Sequence, residues 1–425
     1  MRSGRSSMKR LSIVAMLTVS ILLSATGHIS QVNAVTPITK IATVPSLSAT
    51  TNGDILATSV QTVGTRHFVA IAGNFSQVVT PDSVSHAASN LAVLDQDNPN
   101  TVVYRASGIN SYVRAAKFWG STLYFGGDFT QVAGSTRNHV AAISTSSNSL
   151  LSWNPGSSYA VHAITTNGSA VFIAEKGTTL KAVGMTNGSA LWSKSVSGGT
   201  IKVLMVDPSG AQLFVGGLFE TINGVNQHGL MKLQTSNGAN FSAFKSTLRA
   251  DTNIGPKGAY DGEEVLSMDW DAQFGTPRLV FGSGGSQGNA LNYVDPITGA
   301  YVSGPWGSKS YRAHEGDVQG LAVVGDTYVT GFHRSHTNNS SFNYDRFSAL
   351  WSAQDGVLQT NWRLGLWGIQ SNADAGNQGV QSISYDKTTK KLFMAGAFLG
   401  YGDVSGTQVG ASGVHQQSLA VYSVQ

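Results

Sequence analysis

A short apolar phrase that ends in a glycine pair, or in a variant of one, recurs seven times and constrains the fold more than any other feature. Its clearest copy is LYFGGDF, which begins at Leu123. The other copies begin at Ala70, Ala170, Leu213, Arg278, Tyr328 and Leu392. A second strand-like segment precedes every copy, and these segments begin at Ile55, Tyr112, Ala160, Thr200, Glu264, Asp317 and Gly379. Two patterns that stay in step in this way indicate a repeated structural unit.

Two more strand-like runs follow most copies, so each unit has four short antiparallel strands. Seven such units predict an all-β fold, a seven-bladed β-propeller of four-stranded blades. The seventh unit reaches only its third strand, SLAVYSVQ, while the unassigned residues 38–47 precede the first unit and are strand-like. We expect this N-terminal strand to complete the last blade and close the ring, because an open ring leaves an unpaired edge. A stray N-terminal extension is the alternative.

The glycine pair predicts architecture rather than chemistry. It ends a strand where neighbouring blades converge, so the missing side chains permit a close backbone approach or a β-bulge. The phenylalanine that follows, Phe129 in the clearest copy, is expected to fill the space between blades. A glycine pair without a following helix and lysine is not a phosphate-binding loop.

The N-terminal segment has the features of a secretory signal peptide. Four basic residues open the chain, residues 11–25 are apolar, and Val32, Asn33 and Ala34 form a small-x-small cleavage signal. We therefore expect residues 1–34 to be a signal peptide and residues 35–425 to be a single propeller domain, secreted or associated with the cell envelope. A retained membrane anchor is the alternative, although we expect no stable membrane span after signal removal.

Charge and cysteine content exclude several classes of function. Four of the 27 basic residues lie in the leader and no acidic residue does, so the mature chain balances 23 basic against 23 acidic residues. This balance argues against nucleic-acid partners and anionic membranes, which both require a basic surface. The chain has no cysteine, which excludes disulfides and thiolate zinc sites. We expect a monomer, and the sequence identifies no cofactor.

Two long repeat copies resemble a known family. LYFGGDFTQVAGSTRNHVAAI and LFVGGLFETINGVNQHGLMKL share the glycine pair, the phenylalanine and a short polar turn before an apolar strand. In these features they resemble the repeats of bacterial secreted β-propellers of the delta-sixty type. The third copy departs from the pattern at Ala174 and Glu175, and the fifth lacks the phenylalanine. The resemblance implies a propeller and an exported setting, and it implies no particular chemistry.

Long polar loops are expected on only one face of the propeller, since the connections on the other face are tight turns. Loops of this kind usually carry function. Over blades five to seven they gather the candidate ligand-binding residues Asp261, Glu263, Glu264, His314, Glu315, Asp317, His333, His336 and Trp367. The leading interpretation is binding of a glycan or a protein, with Trp367 stacking on a sugar.

Other interpretations of these loop residues stay open. Paired carboxylates and histidines can serve a polysaccharide hydrolase or lyase, if one carboxyl has a raised pKa and the separation suits the bond. His333 and His336 with a carboxylate can hold a metal, although no recognised zinc signature is present. Solvated charges that brace the loops are the simplest explanation.

A second set of candidates comes from equivalent positions near the starts of the preceding strands. These positions hold Arg114, His162, Lys202, Leu266, Gln319 and Gln381, and in the first unit Ala57, or Leu56 if that strand is shifted by one. We expect Arg114, His162, Lys202, Gln319 and Gln381 to line the central channel and to attract an anion or ordered water. The alternative is that they satisfy buried backbone groups beside a column of water.

Overall fold

The computed structural model shows strands, turns and loops, and no helix, among the residues that it describes. These residues are 41, 46, 49–246, 248, 264–273, 275–284, 290–300, 302, 311–312, 317–333, 348–353, 365–367, 379–398, 400–402, 408–409 and 418–425. At residues 290, 311–312, 333, 365–367, 400–402 and 408–409 only the backbone is described. One compact unit runs from Ile38 to Gln425. Within the described ranges, no helix has the length and apolar character needed to cross a membrane.

Thirty-five strands are assigned within these ranges. The first part of the chain contains β1 (Thr50–Thr51), β2 (Asp54–Val63), β3 (Arg66–Asn74), β4 (Gln77–Val79), β5 (Ser85–Ala87), β6 (Leu91–Asp95), β7 (Val102–Arg105), β8 (Val113–Trp119), β9 (Thr122–Gly127), β10 (Gln131–Val132), β11 (Ser135–Thr136), β12 (Val140–Ser144) and β13 (Ser149–Leu150). The middle part contains β14 (Val161–Thr166), β15 (Ala170–Glu175), β16 (Thr179–Gly184), β17 (Ala190–Ser197), β18 (Thr200–Val206), β19 (Gln212–Leu218), β20 (Thr221–Ile222), β21 (Val225–Asn226), β22 (Leu230–Gln234), β23 (Glu264–Asp271), β24 (Arg278–Gly284) and β25 (Ala290–Val294). The last part contains β26 (Tyr311–Arg312), β27 (Asp317–Val324), β28 (Thr327–His333), β29 (Ser348–Ser352), β30 (Gly365–Trp367), β31 (Gly379–Asp386), β32 (Lys391–Ala397), β33 (Gly400–Gly402), β34 (Gln408–Val409) and β35 (Leu419–Ser423).

Seven of the sheets in the described part share one plan. A long strand pairs with the strand that follows it, and that second strand pairs in turn with a later strand. Their orders are β2-β3-β6-β7, β8-β9-β12-β13, β14-β15-β16-β17 with β20-β21 added, β18-β19-β22, β23-β24-β25-β26, β27-β28-β29 and β31-β32-β35. We call β2, β8, β14, β18, β23, β27 and β31 the first strands. Three smaller sheets, β1-β4-β5, β10-β11 and β30-β33-β34, complete the set.

Tight hairpins join several first strands to the second strands. Gly64, Gly120 and Gly325 have positive φ at the first position of two-residue turns, a conformation that glycine adopts without steric cost. The second strands β3, β9, β15, β19, β24 and β32 are buried along most of their length. The second strand β9 is almost wholly buried, whereas the fourth strand β17 is mostly exposed or half-buried. The apolar phrase found in the sequence is therefore the second strand, which is covered on both faces.

The hydrophobic core is divided into clusters, each shared by two neighbouring sheets. Phe125 and Phe129, for example, pack with residues of the β2 sheet, and the centroids of their rings lie 5.4 Å apart. Phe129 is fully buried, which confirms the space-filling role expected of the phenylalanine after the glycine pair. Another cluster joins Phe393 and Leu419 of the β31 sheet to Ile55 of the β2 sheet. Burial between sheets is the main source of stability in such an arrangement.

The first strands also contact one another in sequence. Each is in contact with the next first strand along the chain, and β31 is in contact with β2. Thr58 of β2 binds β31 through its backbone N–H, which donates to Ser382 Oγ at 3.0 Å. Beyond these contacts, Ile41 and Ser46 form isolated antiparallel bridges with Val424 and Val421.

Candidate functional site

Every first strand carries a β-bulge near its start. In β8, Val113 lies opposite Gly127 and Ala115 lies opposite Gly126, so Arg114 between them has no partner across the ladder. The seven residues skipped in this way are Leu56, Arg114, His162, Lys202, Leu266, Gln319 and Gln381. We call them the bulge row. A bulge leaves one residue outside the pairing of the β-ladder and changes the direction of its side chain. Each position of the row can therefore carry a functional group.

The glycine pair of the sequence repeat lies directly opposite the bulge. A Cβ atom on Gly127 would collide with the carbonyl oxygen of Tyr112 in the same sheet, and a Cβ atom on Gly126 would collide with Val161 of the next sheet. The same arrangement recurs at Gly217 and Gly216, which meet the backbone of Thr200 and the side chain of Val265. The predicted close approach at the glycine pair is therefore confirmed, and it accompanies a bulge.

Arg114 is held by a carboxylate from its own sheet. Its Nε donates to both carboxylate oxygens of Asp128 at 3.0 Å, and its Nη2 donates to Asp128 Oδ2 at 2.6 Å. The guanidinium carbon also lies 5.1 Å from the ring centroid of Tyr112. Asp128 directly follows the glycine pair, which explains why it reaches the bulge opposite. A forked contact of this kind fixes both side chains in one geometry.

Lys202 and Glu264 form an ion pair between two neighbouring sheets. Lys202 Nζ lies 3.2 Å from Glu264 Oε1, and the two side chains are 37% and 22% exposed. Glu264 begins β23 and is one of the carboxylates that the sequence proposes for ligand binding. The structure thus brings one predicted loop-face carboxylate into contact with a cation of the bulge row. Because the pair is open to solvent, it orients the groups more than it stabilises the fold.

His162 lies on the first strand between those of Arg114 and Lys202. Burial lowers the pKa of His162 to about 4, and repulsion by Arg114 and Lys202 acts in the same direction. Asp128 opposes the shift through its negative charge. The imidazole is therefore neutral at physiological pH, with one nitrogen able to donate a hydrogen bond and the other able to accept one.

Leu266, Gln319 and Gln381 continue the row on β23, β27 and β31. Asp317, which begins β27, lies next to this part of the row. A Cβ atom on Gly284 would come within 2.7 Å of both Asp317 Cγ and Leu266 Cδ1. Asp317 and Leu266 therefore both reach the end of β24, and a second predicted carboxylate lies close to the row.

The structure describes only some of the remaining predicted ligand-binding residues. Asp261, Glu263, His314, Glu315 and His336 lie outside the described residues. Two others are described by their backbone alone. His333 ends β28 opposite Asp317, and Trp367 ends β30 opposite Gly400. The grouping of loop residues over the last three repeat units therefore stays a prediction.

Two features of the site were not predicted. Asp128 is not among the predicted residues, although the sequence places an acid immediately after the clearest glycine pair. Lys117 and Asp269, which belong to a cavity described below, occupy equivalent positions three residues after the bulge. In the sequence these two residues lie three positions beyond Arg114 and Leu266, which are equivalent strand positions.

The charged groups in the described part of the row are paired. Two cations are each matched by a carboxylate, which leaves a nearly neutral set of fixed donors and acceptors. Among the described residues, no three His, Cys, Asp or Glu side chains come together as a metal site would require.

Comparison with known proteins identifies the fold. No family profile matches the chain, and no curated protein is detectably similar to it. Among solved structures, it is similar to the WD40 β-propeller domain of Doa1, with a TM-score of 0.52 and 14% sequence identity, over 89% of this chain and 96% of that one. At this identity the likeness shows the fold alone, which confirms the predicted β-propeller type and its repeats. The resemblance to the delta-sixty type stays a prediction.

Proposed function

We propose that the protein is an exported seven-bladed propeller that binds a glycan over the bulge row. In this proposal residues 1–34 direct export and residues 35–425 form the ring. Ring closure is supported by the contact between β31 and β2 and by the core cluster that these two sheets share. The bridges from Ile41 and Ser46 to β35 support a closing N-terminal strand, which removes an exposed edge.

The bulge row is the observation that carries the binding proposal. It places a neutral imidazole, two amides and two charge-compensated ion pairs at one level of neighbouring first strands. Sugar hydroxyl groups both donate and accept hydrogen bonds, so they suit a set of alternating donors and acceptors with little net charge. Concave sites that hold such ligands combine a few oriented polar groups with rigid walls.

The loops over the fifth to seventh repeat units extend this site in the proposal. Glu264 and Asp317 begin the first strands of two of those units and lie beside the row. The loop residues Asp261, Glu263, His314, Glu315, His333, His336 and Trp367 would then contact the parts of the ligand that project from the row. Trp367 is the candidate for stacking on a sugar ring.

A glycan array probed with residues 35–425 tests the proposal. The informative variant combines Lys202→Met, Glu264→Gln and Gln319→Leu, because it removes one compensated ion pair and one amide while keeping side-chain volumes similar. We expect the variant to bind the best glycan about tenfold more weakly or worse, a loss that one or two hydrogen bonds account for. Lys390→Met, on the turn between β31 and β32 at the other end of the sheets, is the matched control and should bind as the wild type does.

Three outcomes would contradict the proposal. Glycan binding that is unchanged in a folded triple variant would place the site elsewhere. Absence of any glycan ligand, combined with capture of a protein through the same residues, would replace the glycan by a protein partner. Release of sugar from a polysaccharide would identify a hydrolase or lyase instead of a binding protein.

A further inference from the structure

A cavity lies farther along the first strands, away from the bulge row. Its volume is about 260 Å³, and residues of β2, β8, β23, β27 and β31 line it. Lys117 and Asp269, which lie three residues after the bulges of their strands, both reach it. Three residues of strand span about 10 Å, so this cavity is separate from the row. We call it the lysine cavity.

Three of the seven side chains at the level of Lys117 tie one first strand to the next. Ser59 Oγ accepts a hydrogen bond from the backbone N–H of Phe118 at 3.1 Å, and Asp269 Oδ2 accepts one from Val323 N–H at 2.7 Å. Ser384 Oγ donates to the carbonyl oxygen of Thr58 at 3.2 Å. These are the residues three positions after the bulges of β2, β23 and β31.

Lys117 departs from this pattern. An ammonium group has three donors and no acceptor, so it cannot bind the backbone N–H group that Ser59 and Asp269 bind. The side chain of Lys117 is exposed to solvent within the cavity. Partial desolvation by the surrounding protein lowers the pKa of Lys117, while attraction to Asp269 opposes the shift. No ion pair or hydrogen bond of the Lys117 ammonium is found among the described residues, so the cavity holds a cation with unused donors.

The cavity carries a net positive charge and further donors. Lys387 also lines it and attracts Asp269, so two ammonium groups accompany one carboxylate. Asp269 is already engaged, because its Oδ1 accepts from Trp270 N–H at 2.8 Å and its Oδ2 from Val323 N–H. Tyr385, a residue with a hydroxyl group, is also part of the lining. Unpaired cations and hydroxyl donors around a small volume are the arrangement that recognises an oxyanion.

We propose that the lysine cavity binds a small, multiply charged oxyanion, a phosphate or a dicarboxylate, with Lys117 as its principal contact and Lys387 as its second. The volume of about 260 Å³ admits a group of this size. This site is independent of the glycan proposal, because it uses other residues at the other end of the strands.

Isothermal titration calorimetry of residues 35–425 with inorganic phosphate, and separately with succinate, tests this proposal. We expect Lys117→Met to weaken binding about tenfold and Lys387→Met to weaken it about threefold, as the loss of one direct and one more distant charge predicts. Lys390→Met lies on the same turn as Lys387 but does not line the cavity, so it is the matched control and should leave the affinity unchanged. Lys117→Gln provides a second variant if Lys117→Met does not fold.

Each result decides the question. Binding of phosphate alone supports a phosphoryl ligand, and binding of succinate alone supports a carboxylate ligand. In either case the anion must bind more weakly to the Lys117 variant than to the wild type. The proposal fails if neither anion binds at about 10 mM, well above the millimolar range of weak sites. It also fails if the folded Lys117 variants bind as tightly as the Lys390 control.

Discussion

Near the starts of the first strands, Arg114 is paired with Asp128 and Lys202 with Glu264. Near the ends of the same strands, Lys117 and Lys387 share Asp269 without an ion pair among the described contacts. One scaffold thus holds compensated cations at one level and uncompensated cations about 10 Å away. In the two proposals this difference corresponds to two kinds of ligand, because compensated charge suits an uncharged polar molecule and uncompensated charge suits an anion.

The largest expected effect is on the free energy of unfolding, and it comes from backbone packing beside the bulge near the start of β8. Gly127→Ala places a Cβ atom against the carbonyl oxygen of Tyr112, which the bulge of β8 holds in place. We expect this change to lower the free energy of unfolding by about 2–4 kcal/mol. The urea midpoint measures it.

Gly120→Ala is the comparison at the other end of the same strands. Gly120 has φ of 55°, and nothing lies within 4 Å of an added Cβ atom. The only cost there is backbone strain, about 1 kcal/mol. Equal effects of the two substitutions would show that the bulge does not hold β8 and β9 as closely as described.

The next largest effect is the loss of folding stability that His162 causes in acid. Its pKa is lowered to about 4 from the usual 6.5, so the unfolded chain takes up a proton at a higher pH than the folded chain does. The contribution to stability is present above pH 6.5 and is lost as the pH falls from 6.5 to 4. We expect a loss of about 1–3 kcal/mol over this window.

Urea denaturation of the wild type and of His162→Gln at neutral pH and near pH 4 measures this loss. The glutamine variant should lack the part of the acid sensitivity that His162 supplies, while carboxylates elsewhere affect both proteins alike. Identical pH profiles for the two proteins would show that the imidazole is not held in its neutral form.

A smaller effect compares the two ion pairs of the row. Asp128→Ala leaves Arg114 without its forked partner, which it contacts through three hydrogen bonds of 2.6 to 3.0 Å. We expect a cost of about 1–2 kcal/mol. Glu264→Ala breaks the single 3.2 Å contact with Lys202 and should cost less than about 1 kcal/mol. Urea denaturation compares the two, and the reverse order would contradict the geometry described.

The smallest effect has the opposite sign. Lys117→Met removes a cation whose charged form is disfavoured by partial desolvation, so we expect the melting temperature at neutral pH to rise by only about 1–2 °C, since the side chain is exposed to solvent. The pKa of Lys117 is lowered, so the cost of protonation sets in as the pH falls from about 10.4. The gain should therefore disappear in melts recorded near that pH. A variant that is less stable at neutral pH would show that the ammonium stabilises the fold.

Much of the fold followed from the sequence because the glycine pair and its phenylalanine report a single packing problem. Gly126 and Gly127 must meet two strands at once, and Phe129 must fill the remaining space. Those constraints recur with the repeat, so the same residue types recur in the sequence. The likeness to a known β-propeller agrees with that prediction.

The site was less accessible to prediction, because it depends on contacts between sheets. Arg114, His162 and Lys202 were recognised as equivalent positions, yet their partners Asp128 and Glu264 come from different distances along the chain. No feature of the sequence distinguishes Lys117 from other strand residues. Its importance shows only when it is compared with Ser59 and Asp269, whose side chains accept a backbone hydrogen bond that lysine cannot accept.

The bulge has a consequence for how such a protein changes over time or in the laboratory. A residue without a partner across the ladder can be exchanged while every backbone pairing stays as it was. Leu56, Leu266 and Gln319 offer three such positions, and none of them makes an ion pair in the described structure. Randomising them together would give a library whose members differ in what they recognise and share one melting profile.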